Sequence, residues 1–385
     1  MTARAQVRRK TGPLIFWIVV GAVGAVGLAV GILRLVQGLG ATTNLSNAYP
    51  WGLWIVFDFF LIPFSAGAFT MALIANILNK EKYHAIARPV ILAGLLGYIG
   101  VVVVLLIDLA RWHQFYNFLW PGFWNLHSFM LEVSLCITLY TVALLLEISP
   151  LIWERFRMKG ARRVIRSLTV WIAGAGIVLS TLHQTSLGSV FVLMRYTLHG
   201  LWWSPLLPLF FFLSSVIGGL SMIILVTIIT ARAYGYSVRI ELLSPLARAS
   251  AILLGIYLVL KLGDVIVRGN AGLLFGAGTM SLLFWLEIIV GVVIPIILFA
   301  VPRMRANTTG LLWGAVCTTV GLLLNRANVS LFALHRPEGA QYVPSWIEFV
   351  VAFGVLALAV IAYALIARYL PVNEERKQAV SPEVV

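Results

Sequence analysis

The chain alternates long apolar runs with short polar connections, and the length of those runs restricts its fold most. Predominantly apolar stretches fall near 14–37, 51–78, 88–109, 125–149, 166–190, 205–231, 247–267, 281–300, 310–326 and 346–369. A helix needs about 20 such residues to cross a bilayer. The runs are too long for barrel strands and lack a two-residue alternation, so they are read as helices. Composition agrees: 61% of residues are hydrophobic and 11% charged, whereas a soluble domain carries about 25% charged residues. The expectation is an all-α integral membrane protein of ten transmembrane helices, a single polytopic domain over residues 1–385 with no soluble module.

The formal net charge of +14 raises nucleic acid as a partner. That reading needs basic residues gathered with aromatics on one folded face, and here they are spread over short connections. With ten spans, 21 of the 28 Lys and Arg fall in the two tails and the even-numbered connections. Such residues collect on the cytoplasmic side. Both termini are therefore expected in the cytoplasm, and the chain in a bacterial or archaeal cytoplasmic membrane. The basic start followed by about 24 apolar residues exceeds the apolar region of a signal peptide and reads as a retained first helix. Cys136 and Cys317 lie in expected spans and form no CxxC pattern, so no metal site is expected.

Ionisable residues inside spans are costly and are functional candidates by default. Asp58 lies some seven residues into the second span, about 10 Å below the outer face at about 1.5 Å per residue. Asp108 closes the third span. His127 opens the fourth, with Glu132 some seven residues in. His183 and Gln184 fall in the outer third of the fifth, Lys261 and Asp264 near the outer end of the seventh, Glu287 in the outer part of the eighth, and Arg326 at the end of the ninth. All lie in the outer half, as they would around one polar pocket below that surface; Glu147 lies at the other end. The plainer alternative is pairing within a helix or snorkelling. Asp108 with Arg111, and Lys261 with Asp264 and Arg268, have spacings that allow it. Asp58 and Glu132 have no basic neighbour one turn away.

An internal repeat is visible. IDLAR (107–111) precedes LEV (131–133), and GDVIVR (263–268) precedes LEI (286–288), with acid-to-acid spacings of 24 and 23 residues. Spans 2–5 and 6–9, near 51–190 and 205–334, are read as two pseudo-repeated four-helix bundles flanked by spans 1 and 10. Both units run in the same sense, unlike inverted transporter repeats. On the fourth span Glu132, Cys136, Tyr140, Ala143 and Glu147 share one helix face. That face is read either as a proton path from Glu147 past Tyr140 to Glu132, or as Glu147 simply facing cytoplasmic water.

Two chemistries compete for the pocket. A bis-histidine haem needs two histidines facing each other across helices, and only His127 and His183 stand at span positions. Quinone chemistry asks for a lipid-accessible site with titratable groups at the ring carbonyls. Asp58 and His183 suit it, and aromatic outer segments such as RWHQFYNFLWPGFWNLH (111–127) suit a flat ring, although aromatic belts are ordinary at membrane interfaces. A proton- or cation-coupled secondary transporter would use the same acids, and a purely structural anchor would need none of them.

Six segments resemble, in order and over nearly the whole chain, the polysulphide reductase (NrfD-like) membrane-subunit family: LSNAYPWGLWIVFDF, IDLARWHQFYN, LEVSLCITLY, STLHQTSLGS, FWLEI and VPSWIE. The branch they resemble most is the "cytochrome b" membrane subunit of uptake nickel–iron hydrogenases. The resemblance implies a haem-free, quinone-reactive anchor, with menaquinone or a similar quinone as ligand. It implies a periplasmic ferredoxin-like iron–sulphur subunit, which alone holds the clusters, and a catalytic subunit of hydrogenase or sulphur-compound reductase type, with no nucleic acid. The family's acid after PWG falls on Asp58, its fourth-span glutamate on Glu132 and its fifth-span histidine on His183. Related hydrogenase subunits carry Asn where this chain has His127. The candidate quinone site is Asp58, His183, Glu132, His127, Trp54 and Gln184. Asp108, Arg111, Asp264, Lys261 and Glu287 form the supporting network, and Glu132, Tyr140 and Glu147 the proton path.

Overall fold

The structure, a computed structural model, describes residues 14–78, 80–335 and 342–372. Ten of its helices are long and apolar enough to cross a membrane: span 1 (Leu14–Gln37), span 2 (Leu53–Ala75), span 3 (Glu81–Asp108), span 4 (Phe129–Arg155), span 5 (Ser167–Leu193), span 6 (Leu207–Tyr234), span 7 (Ile240–Val267), span 8 (Thr279–Ala300), span 9 (Thr308–Phe332) and span 10 (Trp346–Tyr369). Helices are the natural solution because they satisfy every backbone N–H and C=O within the segment, where lipid offers no partner. The face at which span 1 ends and span 10 begins is called distal here.

Spans 2 and 6 are the most deeply buried and pack against each other at the centre. Spans 3 and 5 pack on span 2, and span 4 on spans 3 and 5; spans 5, 7 and 9 pack on span 6, and span 8 on spans 7 and 9; spans 1 and 10 form a pair that leans on span 3. Glycines set two of these crossings. A Cβ at Gly67 would stand 2.5 Å from the Gly219 carbonyl oxygen, so spans 2 and 6 touch backbone to backbone. A Cβ at Gly27 would stand 2.4 Å from the Gly354 Cα, and spans 1 and 10 meet there. Small residues allow this approach where lipid supplies no hydrophobic drive between helices.

Several helices run past the apolar limits read from sequence. Span 9, expected to stop at 326, continues through Asn325, Arg326 and Asn328 and ends in a π turn, Asn328–Phe332. Those polar residues are buried and have hydrogen-bond partners there: Asn325 and Asn328 on Glu287 of span 8, and Arg326 on Ser214 of span 6. Span 4 starts at Phe129 rather than near 125, which leaves His127 in the preceding connection.

Candidate functional site

Span 2 enters from the distal face through Trp54, which is buried and donates from Nε1 to the Glu348 carbonyl of span 10 at 3.1 Å. One turn deeper, Asp58 is 2% exposed, and its Oδ1 has no hydrogen-bond partner. Pro63 follows within the helix and has no N–H to offer the turn above it. The helical pattern is locally interrupted at Ala66, which keeps helical dihedrals and donates its N–H to the Ile62 carbonyl at 3.0 Å. The segment below Asp58 is thus irregular where span 6 crosses it.

Spans 3, 4 and 5 add a line of hydroxyls and ring nitrogens. Span 3 contributes Tyr98, which is buried. The Tyr98 ring stacks on Tyr140 of span 4 at 4.0 Å. The Tyr140 hydroxyl faces Ser180 of span 5 without a bond of good geometry. His183 follows one turn on from Ser180. Both ring nitrogens of His183 and both polar side-chain atoms of Gln184 are buried and unpartnered. One turn further, the Ser186 hydroxyl donates to Glu132 Oε1 of span 4 at 2.5 Å. Buried polar atoms are normally hydrogen-bonded, so this concentration of orphans marks a place that a ligand or water would complete.

At the distal rim the arrangement differs from the expected pairings. Arg111 is exposed, and the cation acting on Asp108 is Arg34, brought in by span 1. Arg34 is fully buried, and its Nη2 donates to the Leu109 carbonyl at 2.8 Å. Glu348 of span 10 is also fully buried. It closes a capping box with Ser345 and accepts from the Tyr342 hydroxyl and, at 3.3 Å, from the Leu53 N–H. Burial, and then the bond to Glu348, push the Tyr342 phenol up from its ordinary value.

A second cluster sits in spans 6–9. Glu287 of span 8 is 2% exposed and accepts three hydrogen bonds at 2.8 Å, from Trp202 Nε1, Asn325 Nδ2 and Asn328 Nδ2. Arg326 donates to Asn325 Oδ1 and Ser214 Oγ at 2.8 Å, and its guanidinium lies 3.8 Å over the Phe211 ring. Lys261 is buried with its Nζ 5.1 Å from the Phe210 ring centroid, and Glu287 and Asp264 act on it as counter-charges. Asp264 pairs with Arg268 at 2.8 Å and accepts from Ser204. A cavity of about 30 Å³, lined in part by Ser214, Tyr257, Glu287, Thr318 and Asn325, has room for a water.

The acids, His183 and Gln184 read from sequence are therefore divided. Asp58, Glu132, His183, Gln184 and Tyr140 belong to spans 2–5, and Lys261, Asp264 and Glu287 to the second cluster. His127 is exposed in the connection before span 4, its backbone N–H on Asn125 Oδ1 at 3.1 Å. Glu147 is partly buried at the end of span 4 away from the others. Sequence reasoning missed Arg34, Tyr98, Ser180 and Glu348 as neighbours of the site, and Trp202, Asn325 and Asn328 as the donors around Glu287. Arg34 and Glu348 carried a signal, each being a charge within one turn of a span's end; the hydroxyls and amides carried none.

Among the described residues no three His, Cys, Asp or Glu side chains are grouped so as to hold a metal ion. The fold and site define a polytopic helical membrane protein with a buried, incompletely hydrogen-bonded polar centre near one rim. The family model for "Polysulphide reductase, NrfD" matches residues 41–337, and the chain belongs to that family. It is 32% identical over 352 residues to the "Probable Ni/Fe-hydrogenase 2 b-type cytochrome subunit" of Escherichia coli, covering 90% of this chain and 89% of that protein. It is 30% identical over 375 residues to the "Menaquinone reductase, integral membrane subunit" of Nitratidesulfovibrio vulgaris, covering 90% and 88%. A third relative, at 22% over 393 residues and 93% of each chain, is the "Hdr-like menaquinol oxidoreductase integral membrane subunit" of Archaeoglobus fulgidus.

Proposed function

We propose that the chain is the quinone-reactive, haem-free membrane subunit of a respiratory oxidoreductase complex. It exchanges electrons between the quinone pool and an iron–sulphur partner docked on the distal face, taken as periplasmic. A catalytic subunit of hydrogenase or sulphur-compound reductase type lies beyond that partner. The observation that carries this reading is the set of unpartnered buried atoms on Asp58, His183 and Gln184. Together they offer an acceptor, a ring nitrogen pair and an amide to a small apolar molecule with two carbonyls. Hydrogenase and menaquinone-enzyme membrane subunits among the relatives support it.

Reducing a quinone to a quinol adds two electrons and two protons, the protons ending on the carbonyl oxygens. The electrons would come from the iron–sulphur partner. His183 and Gln184 would orient the carbonyls by hydrogen bonds, Asp58 and Glu132 would hold protons, and Trp54 would wall the site. A bis-histidine haem asks for two facing histidines. Among the described residues His183 is the one histidine buried within a span, and His127 is exposed, so the donor set does not fit such a haem.

Asp58→Asn and His183→Ala are each expected to abolish quinone-linked activity while the complex still assembles. Co-purifying quinone and an iron–sulphur subunit are expected with the wild type. Solute uptake by the isolated chain would favour a transporter instead, and full quinone turnover with both residues replaced would end the proposal.

A further inference from the structure

We propose that Tyr342 and Glu348, outside the candidate quinone site, are its positioning residues. They grip the first turn of span 2 and so set where Asp58 stands against span 5. The role rests on the quinone reading of the Asp58–His183 centre and adds what keeps the two helices of that centre in register.

The grip is made of direct hydrogen bonds. The Tyr342 hydroxyl accepts from the Leu53 N–H at 2.8 Å and donates to Glu348 Oε2. Glu348 Oε2 also accepts from the Leu53 N–H, at 3.3 Å, and Oε1 accepts from the Ser345 N–H at 3.0 Å. The carbonyl of the same glutamate accepts from Trp54 Nε1 at 3.1 Å. Leu53 is the first residue of span 2, and Glu348 lies in the first turn of span 10. One fully buried carboxylate therefore faces the N-termini of two helices, where unsatisfied N–H groups favour negative charge. The connection before span 2 is fastened to the same segment. Asn44 Nδ2 donates to the Val343 carbonyl and Ser345 Oγ to the Thr42 carbonyl, both at 2.8 Å. The Tyr342 ring stacks on Tyr49 at 5.7 Å.

The grip reaches the candidate site along span 2 and through one aromatic ring. Asp58 stands one helical turn from Trp54. Trp51, just outside the helix, meets the ring of Phe59, the neighbour of Asp58, at 6.3 Å and that of Phe191 on span 5 at 5.8 Å. Phe59 and Phe191 meet each other at 5.8 Å. Phe191 lies seven residues along span 5 from Gln184, two turns away on the same helix face. The start of span 2 therefore touches both the helix that carries Asp58 and the helix that carries His183 and Gln184. Gly52 stands between the ring contact and the grip. A Cβ there would run into the Tyr342 hydroxyl and stand 2.9 Å from Glu348 Oε2, so position 52 has no room for a side chain while the grip is closed.

The test uses the intact complex purified from membranes, with a short-chain soluble quinone as substrate. Tyr342→Phe keeps the ring on Tyr49 and removes the hydroxyl. It is expected to lower kcat for quinone by about tenfold or more with KM within about twofold, because misplacing a reacting group by about 1 Å costs on the order of a hundredfold. Glu348→Gln, and Gly52→Ala, which presses on the grip from its other side, are expected to do the same. Tyr83→Phe is the control for lost stability. It removes a hydroxyl bonded to the Leu242 carbonyl at 3.2 Å, at the face opposite the distal one, and is expected to leave both constants unchanged. Fluorine NMR of the complex carrying 5-fluorotryptophan needs no turnover. The Trp54 resonance, assigned by its loss in Trp54→Phe, is expected to move in Tyr342→Phe and Glu348→Gln and to stay in Tyr83→Phe. Wild-type kcat in both Tyr342→Phe and Gly52→Ala, a loss that Tyr83→Phe shares, a rise in KM at unchanged kcat, or a Trp54 resonance that neither substitution moves would each overturn the positioning role. If Glu348→Gln does not assemble, Tyr342→Phe decides alone. A wild-type complex that neither binds nor reduces quinone would overturn the preceding function, and the fluorine resonance would still decide whether the grip holds span 2.

Discussion

The Tyr98 ring on span 3 and the Tyr140 ring on span 4 stack with centroids 4.0 Å apart and planes 25° apart, in the middle of the buried polar line. The contact is aromatic; the Tyr140 hydroxyl gains no hydrogen bond of good geometry from it.

That division predicts different outcomes for two substitutions. Tyr140→Phe keeps the stack and deletes an unpartnered hydroxyl, so stability should hold or rise by up to about 1 kcal/mol. Tyr140→Ala opens a cavity among Tyr98 and Phe69 and should cost about 3–5 kcal/mol. Thermal unfolding of the purified protein in detergent measures both, and equal losses would contradict the packing role.

The crossing of spans 1 and 10 should tolerate no side chain at Gly27. The backbone of Gly354 would have to move, because a Cβ there lies 2.4 Å from its Cα. Gly27→Val should cost about 1–3 kcal/mol through overpacking and displace Arg34 from Leu109. Limited proteolysis is expected to release span 1 sooner than in the wild type; an unchanged cleavage pattern would argue against this interface.

Glu287 and Arg326 depend on each other's neighbours. Trp202→Phe removes one of three donors to a buried carboxylate and should cost about 1–3 kcal/mol. Arg326→Gln removes a buried charge from a network that holds Glu287 and should cost about 3–5 kcal/mol. The pair are predicted to be non-additive in a double-mutant cycle read by unfolding, and simple additivity would mean that the cluster does not act as one unit.

The distal connections carry a pH dependence of their own. His199 and His335 face each other at 5.7 Å, and backbone bonds from His199 to Ala333 and from His335 to Thr197 tie the two connections together. Burial first, and then the nearby His335 charge, push His199 below its ordinary 6.5. As pH falls through 6.5 the unfolded chain takes up a proton that the folded loop resists. The contribution is therefore neutral above that pH and destabilising below it. Melting temperature should decline on acidification from neutrality, and less steeply in His335→Gln. A decline of equal slope in both proteins would remove the His335 contribution.

Much of the protein was legible in one dimension. Ten spans followed from run length, because a bilayer imposes one thickness on every crossing helix. Asp58, His183 and Glu287 stood out because polar side chains within an apolar run have few reasons to be there; Glu132, read some seven residues into the fourth span, stands in the first turn of span 4. Which group meets which was a different matter. A helix turns about 100° per residue, so the partner of a side chain depends on helix rotation and on which neighbour packs there. Asp108 was read with Arg111, three residues away, and the fold gives it Arg34 from across the bundle. His127 looked like the start of a span and lies outside it. Glu287 was read into a supporting network of charged residues, and span 9 brings two asparagines to it instead. Sequence alone settled how many helices are long and apolar enough to cross a membrane and which costly residues most of them carry. Only the tertiary structure decided which of them are satisfied and which are left open, because hydrogen bonds between helices depend on packing angles that no local pattern records.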